Sequence, residues 1–99
     1  MGLQGKYYSE ILATTGANED LIEKIKTSLG LTKMLIKKLT LICSATITID
    51  INELGIYSDL FTDTDGYTKL SLSADDIMVY SLKVKESSIT DIFLAIIYQ

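Results

Sequence analysis

The sequence contains no histidine, no proline and no tryptophan, and it holds a single cysteine among 99 residues. Without histidine it lacks the side chain that most often exchanges protons near neutral pH, and the commonest metal ligand. Serine and cysteine nucleophiles that depend on an imidazole base are thereby excluded. One cysteine forms no internal disulfide. Cys43 falls among apolar residues, where a buried thiol has no base to activate it. The glycines are scattered one at a time, so no glycine-rich loop cradles a phosphate. The net charge is −4, the opposite of the basic surface that nucleic-acid backbones require. Lys33, Lys37 and Lys38 do cluster, and read as a solvated strand entrance.

The longest apolar run, Ile92–Tyr98, falls far short of the roughly 20 residues of a membrane-crossing helix. No basic stretch leads into an apolar segment and a small-residue cleavage site near the N-terminus. The expectation is no membrane partner and a place inside a cell or inside something assembled there. Asp63-Thr64-Asp65-Gly66 resembles the middle of a calcium loop. A glycine at the sixth loop position would put Phe61 first and Leu72 twelfth, and neither ligates. Glu53, Asp59, Asp63 and Asp65 fall in loops with nothing to pair them across a cleft. The expectation is a protein that is not an enzyme, with no catalytic, cofactor-binding or metal-ligating residues.

What the sequence does have is alternation. Leu39, Leu41, Cys43, Ala45, Ile47, Ile49 and Ile51 are apolar, and the residues between them are polar except for Ile42. Strand side chains point to opposite faces in turn, so one face is apolar and the other carries hydroxyls. The run is long for one strand and is expected to bend near Ser44–Ala45. Further strands are expected over Ile56–Phe61 (a short strand or an irregular crossing), Tyr67–Ser73, Ile77–Glu86 and Ile89–Tyr98. The third has Met78, Tyr80, Leu82 and Val84 on one side. Asn52–Gly55, Asp65-Gly66, Ala74–Asp76 and Ser87-Ser88 read as turns.

The first third reads as helical. Leu3–Thr14 suggests a short helix with Tyr8, Ile11 and Leu12 on one side. Asn18 is a suitable N-cap for a second helix reaching Leu29, with Leu21, Ile22, Ile25 and Leu29 as its apolar stripe. Asp20 and Lys24 are expected to pair at i,i+4, worth about 0.3–0.5 kcal/mol. Gly30 stands where a left-handed C′ residue belongs, with Leu31 free to fold back on Ile25.

The composition is 47% hydrophobic with a mean hydropathy of +0.28, more than a small domain readily hides. The last strand carries Ile92, Leu94, Ile96 and Tyr98 on one face and Phe93, Ala95 and Ile97 on the other. Two apolar faces call for two covers. The second cover is either the N-terminal helix or another subunit.

The chain order completes the picture. Met1-Gly2-Leu3-Gln4-Gly5-Lys6-Tyr7-Tyr8 leads into a helix ending Lys26-Thr27-Ser28-Leu29-Gly30-Leu31-Thr32. A β module follows and closes with Leu82-Lys83-Val84-Lys85-Glu86-Ser87-Ser88 and an apolar strand. This layout is similar to small virion proteins of tailed bacteriophages of low-GC Gram-positive bacteria: capsid decoration, head-fibre and tail-associated modules. The resemblance implies a structural protein that binds a capsid or tail lattice in several copies. It also implies a virion location after assembly in the host cytoplasm, and partners that are other copies of itself and other virion proteins.

The reading is therefore a mainly β protein, a small antiparallel β-sandwich or jelly-roll-like barrel preceded by one or two N-terminal α-helices. Residues 1–31 form the helical segment and residues 32–99 the β module of one structural domain. The core is expected to include Leu39, Leu41, Ile47, Ile49, Ile51, Leu70, Leu72, Leu82, Val84, Ile92, Leu94 and Ile96. Tyr7, Tyr8, Ile11, Leu12, Phe93 and Ile97 are the expected partner-binding residues. The competing reading is a receptor- or glycan-recognition module, or an intracellular adaptor, with Tyr57 in a site built from the Asn52–Gly66 loops.

Overall fold

The computed structural model describes residues 5–53, 57–58 and 65–99. Among them the chain is mainly β, with two antiparallel four-stranded sheets and one helix, an arrangement compatible with a small β-sandwich. In chain order the elements are β1 (Lys6–Leu12), β2 (Glu19–Asp20), α1 (Leu21–Leu29), β3 (Ile36–Cys43), β4 (Ile49–Ile51), β5 (Tyr57–Ser58), β6 (Thr68–Ser73), β7 (Leu82–Val84) and β8 (Ile92–Tyr98). The larger sheet runs β1-β8-β3-β6 and the smaller β2-β7-β4-β5.

Two apolar faces enclose the core. Leu39, Leu41, Cys43, Leu70, Ile92, Leu94 and Ile96 enter from the larger sheet, and Ile49, Leu82 and Val84 from the smaller. Ile51 and Leu72, expected inside, are partly buried against this cluster. The long alternating run does break at Ser44–Ala45, and its halves become β3 in one sheet and β4 in the other. The alternation survives the break because both halves face the same interior. At the break, the buried Thr68 hydroxyl donates to the Ala45 carbonyl and accepts from the Ile47 amide, both at 3.1 Å.

The N-terminal expectation requires correction. Lys6–Leu12 is a strand, bonded to β8 along its whole length, and not a helix. The described residues contain one helix, in mid-chain rather than ahead of the strands, and residues 1–31 supply β1 to one sheet and β2 to the other. α1 begins at Leu21, and its N-cap is Asp20 rather than Asn18. Asp20 Oδ1 accepts from the amides of Ile22 at 2.9 Å and Leu82 at 3.1 Å, and Oδ2 accepts from the Ser81 hydroxyl at 3.0 Å. One carboxylate thus caps the helix and docks it on β7. Lys24 pairs with Glu19 instead, at 2.9 Å. Gly30 closes the helix in the left-handed region at φ 70°, where a glycine carries no Cβ penalty. The amide of Leu31 donates to the Lys26 carbonyl, while its side chain remains exposed.

The expected strand Ile77–Glu86 shortens to Leu82–Val84. Asn52 causes this. Its side-chain amide donates to the Met78 carbonyl at 2.8 Å, and its Oδ1 accepts from the amides of Tyr80 at 2.9 Å and Ser81 at 3.3 Å. These bonds hold residues 78–81 as a loop. Val79 turns inward, and Met78 and Tyr80, expected on the same side as Leu82 and Val84, are exposed while those two are buried. Glu86 performs a similar task, accepting from the Thr48 amide and hydroxyl, each at 2.8 Å. Burial opposes ionisation of Glu86, but the Thr48 bonds outweigh it and hold its pKa below the ordinary value.

Asp20→Ala removes the cap and strands two further donors. The expected loss is about 2–4 kcal/mol by urea unfolding. Asp20→Asn keeps an acceptor and is expected to lose less than half of that.

Candidate interaction surface

The pairing registers assign the paired side chains of the larger sheet to faces. β8 is central, with β1 on one flank and β3 on the other. Directly opposed residues in antiparallel strands share a face. Three cross-strand rows therefore form the outer face. The first is Tyr7, Ile97, Lys38 and Ser73; the second is Ser9, Ala95, Thr40 and Ser71; the third is Ile11, Phe93, Ile42 and Lys69. The inner face takes Tyr8, Ile96, Leu39 and Leu72, then Glu10, Leu94, Leu41 and Leu70, then Leu12, Ile92, Cys43 and Thr68.

Strand geometry divides the expected partner-binding residues. Tyr7, Ile11, Phe93 and Ile97 meet on the outer face as two cross-strand pairs, Tyr7 with Ile97 and Ile11 with Phe93. Tyr7 is 67% exposed and Ile11 66%, while Phe93 and Ile97 are half-buried. Tyr8 and Leu12 point the other way. Leu12 is buried in the core and Tyr8 packs against its margin. Ile42, 39% exposed beside Phe93, joins the surface. Sequence reasoning did not select it, although it is the one apolar exception among the polar positions of the alternating run. α1 does not cover this face: its buried residues Leu21, Ile22 and Ile25 enter the core.

The face is graded from one edge to the other. Its apolar members lie on β1 and β8, with Ile42 beside them. Toward β6 it becomes Thr40, Ser71 and Ser73, with Lys38 and Lys69 as its charges. A depression of about 120 Å³ lies among Tyr7, Lys38, Thr40, Ala95 and Ile97, and a second of about 330 Å³ among Thr40, Ile42, Lys69 and Ser71. At the β1 end, Gly5 lies so close to Ile97 that an added Cβ would stand 2.7 Å from its Cγ2.

A different groove, about 430 Å³, separates β1 from α1 and is lined by Glu10–Ala13, Glu23, Lys24 and Thr27. The Tyr8 hydroxyl donates to Glu10 at 2.7 Å, and that bond to a carboxylate raises the phenol above its ordinary pKa. Glu23 pairs with Lys26 at 2.6 Å. Glu19, which holds Lys24, also accepts from the Gly16 amide at 2.7 Å and from the Thr15 hydroxyl at 2.9 Å. Lys24 first, then Gly16 and Thr15, lower its pKa to about 2.

No group of three or more histidine, cysteine, aspartate or glutamate side chains among the described residues is placed to hold a metal. Asp20 and Asp50 flank Lys83 in register on one face of the smaller sheet, so charges of opposite sign alternate there, with Asp50 buried. No described helix is long and apolar enough to cross a membrane. Most of the Asn52–Gly66 loop, and the Tyr57 side chain, lie outside the described residues. No known protein family, characterised protein or solved structure matches this chain.

Glu19 generates a pH prediction. Its folded pKa is depressed, so the stability it contributes is complete above the ordinary glutamate value of about 4.3 and is lost as pH falls through the folded value of about 2. NMR titration of the Glu19 side chain is expected to give a midpoint near the lower value, and Lys24→Ala to move it upward.

Proposed function

We propose that this chain is a non-enzymatic virion structural protein that binds a capsid or tail lattice in multiple copies, and that its two sheets form a small jelly roll. The observation that carries the functional reading is the apolar half of the outer face: Tyr7, Ile11, Ile42, Phe93, Ala95 and Ile97 in adjoining strands, with no element of the described chain over them. Monomeric domains rarely leave such a contiguous patch in water, and patches with a polar border mark contact sites.

The strand orders support the jelly-roll reading. The first strand lies beside the last, the second beside the seventh, the third beside the sixth and the fourth beside the fifth. This is a long ribbon folded over and wrapped around one core. Jelly rolls of eight strands recur in viral capsid and lectin domains. Fold alone does not fix function, so the reading rests on the face, with the resemblance in chain layout to small phage virion proteins beside it.

The experiment is co-sedimentation with capsids and tails purified from the virus that encodes the chain. The wild-type protein is expected to bind. Phe93→Asp and Ile97→Asp are expected to fold with a change within about 1 kcal/mol and to bind at least tenfold more weakly. Ile96→Asp, at a position 1% exposed, is expected to cost several kcal/mol, because it places a carboxylate in the core. Failure of the wild-type protein to bind, or undiminished binding by Phe93→Asp, overturns the reading.

A further inference from the structure

The larger sheet ends on one side in a long, regular edge strand. Among the described residues β1 pairs with β8 alone, without a register shift, over Lys6–Leu12. Exposed edges are usually blunted by proline, a bulge, an edge lysine or brevity. The smaller sheet uses brevity, since β2 and β5 are two residues each. The opposite edge of the larger sheet, β6, carries the exposed Lys69 at its second residue. β1 is seven residues long with neither proline nor bulge; its charges are Lys6 and Glu10, of opposite sign, and its central residue is Ser9.

The apolar stripe of the outer face is off-centre, running along this edge. The side chains of β1 also complement themselves. Lys6 and Glu10 lie on the same face of the strand, four residues apart. Neither has an oppositely charged partner among the described residues; the bond that Glu10 accepts comes from the neutral Tyr8 hydroxyl. Glu10 lines the groove between β1 and α1, whose cation, Lys24, is already engaged by Glu19. The groove beside β1 thus holds a carboxylate that α1 does not neutralise.

We propose that a second copy of this chain pairs its β1 antiparallel to this one, centred on Tyr8, joining two four-stranded sheets into one of eight. In that register Lys6 stands opposite the partner's Glu10, Glu10 opposite the partner's Lys6, and Tyr7 opposite the partner's Ser9. The two Tyr8 residues meet at the twofold axis, as a closed isologous pair requires. A register centred on Ser9 keeps the same faces but sets Lys6 against the partner's Leu12 and forms no ion pair. On the outer face the two off-centre stripes become neighbours. The joined sheet then has an apolar middle and a border of Lys38, Lys69 and hydroxyls at each end, the distribution of an interface core and rim. The proposal rests on the multi-copy reading above and names the contact that makes the copies.

The test is the solution mass of the full chain by sedimentation equilibrium over a wide concentration range. A monomer–dimer equilibrium is expected. Lys6→Glu and Glu10→Lys each place like charges opposite one another twice per dimer, and each is expected to raise the dissociation constant roughly tenfold. The double variant Lys6→Glu/Glu10→Lys restores both pairs with exchanged sign and is expected to recover wild-type affinity. Lys6 is exposed, so Lys6→Glu carries the test should Glu10→Lys fold poorly. A monomer at every concentration overturns the proposal, as does a dimer indifferent to both single variants or one not restored in the double variant. Phe93→Asp separates the two proposals: it is expected to remain dimeric while losing attachment to particles.

Discussion

β8 is bonded on both flanks, to β1 and to β3, and the rest of the larger sheet takes its register from it. Ile92, Leu94 and Ile96 fix that register, because all three are buried to 1% exposure or less. A slip of one residue would exchange them for Phe93, Ala95 and Ile97 and turn the strand's other side to the core. With β8 fixed, β1 has no choice of face. Tyr8 and Leu12 go in, and Tyr7 and Ile11 go out. The outer apolar stripe follows from the burial of the inner one.

The smaller sheet is held differently. Its four strands span two or three residues each, too few for a ladder to satisfy the backbone on its own. Side chains supply what the ladder lacks. Asp20 takes the start of α1 and the start of β7, Asn52 takes the loop before β7, and Glu86 takes Thr48. Thr14 completes the set: its hydroxyl donates to the Glu86 carbonyl at 3.2 Å and accepts from the Ile89 amide at 3.0 Å. Asn52 does this from the left-handed region, at φ 61°, which asparagine tolerates better than most residues. These bonds join segments from the beginning, middle and end of the chain, so the smaller sheet is assembled through them as much as through its strands.

How much of this was legible in the sequence depends on how local the deciding contact is. The alternation from Leu39 to Ile51 and its bend were readable because period 2 is a property of the segment itself. The left-handed Gly30 was readable for the same reason. The segment Lys6–Leu12 was not. Tyr8, Ile11 and Leu12 fit a helical spacing, whereas the strand face Tyr8, Glu10 and Leu12 is interrupted by an acid. An edge strand tolerates that acid because its carboxylate reaches the groove beside α1, and no spacing rule encodes the groove. The loop at residues 78–81 was hidden for a similar reason, since the residue that shapes it, Asn52, lies far away in sequence. For the candidate surface, the two-faced character of Ile92–Tyr98 and the misfit of Ile42 were on view. The division of Tyr7 and Ile11 from Tyr8 and Leu12 required knowing that β1 is a strand.

Among the described residues, the position of α1 explains why no element lies over the outer face. α1 lies across the side of the core between β1 and β7, where Leu21, Ile22 and Ile25 close the gap between the sheets. Had it lain on the outer face, that gap would stand open and Phe93 and Ile97 would be the buried pair. One short helix closes one side, and the interior, with far more apolar area at stake, takes it. What is left over is the stripe on β8 and β1. Hydroxyls and two lysines border it toward β6, whereas on the β1 side Tyr7 and Ile11 stand at the rim of the sheet with Ser9 between them and no charge. The charges of the face therefore stand at one margin, and its apolar half runs out to the β1 edge.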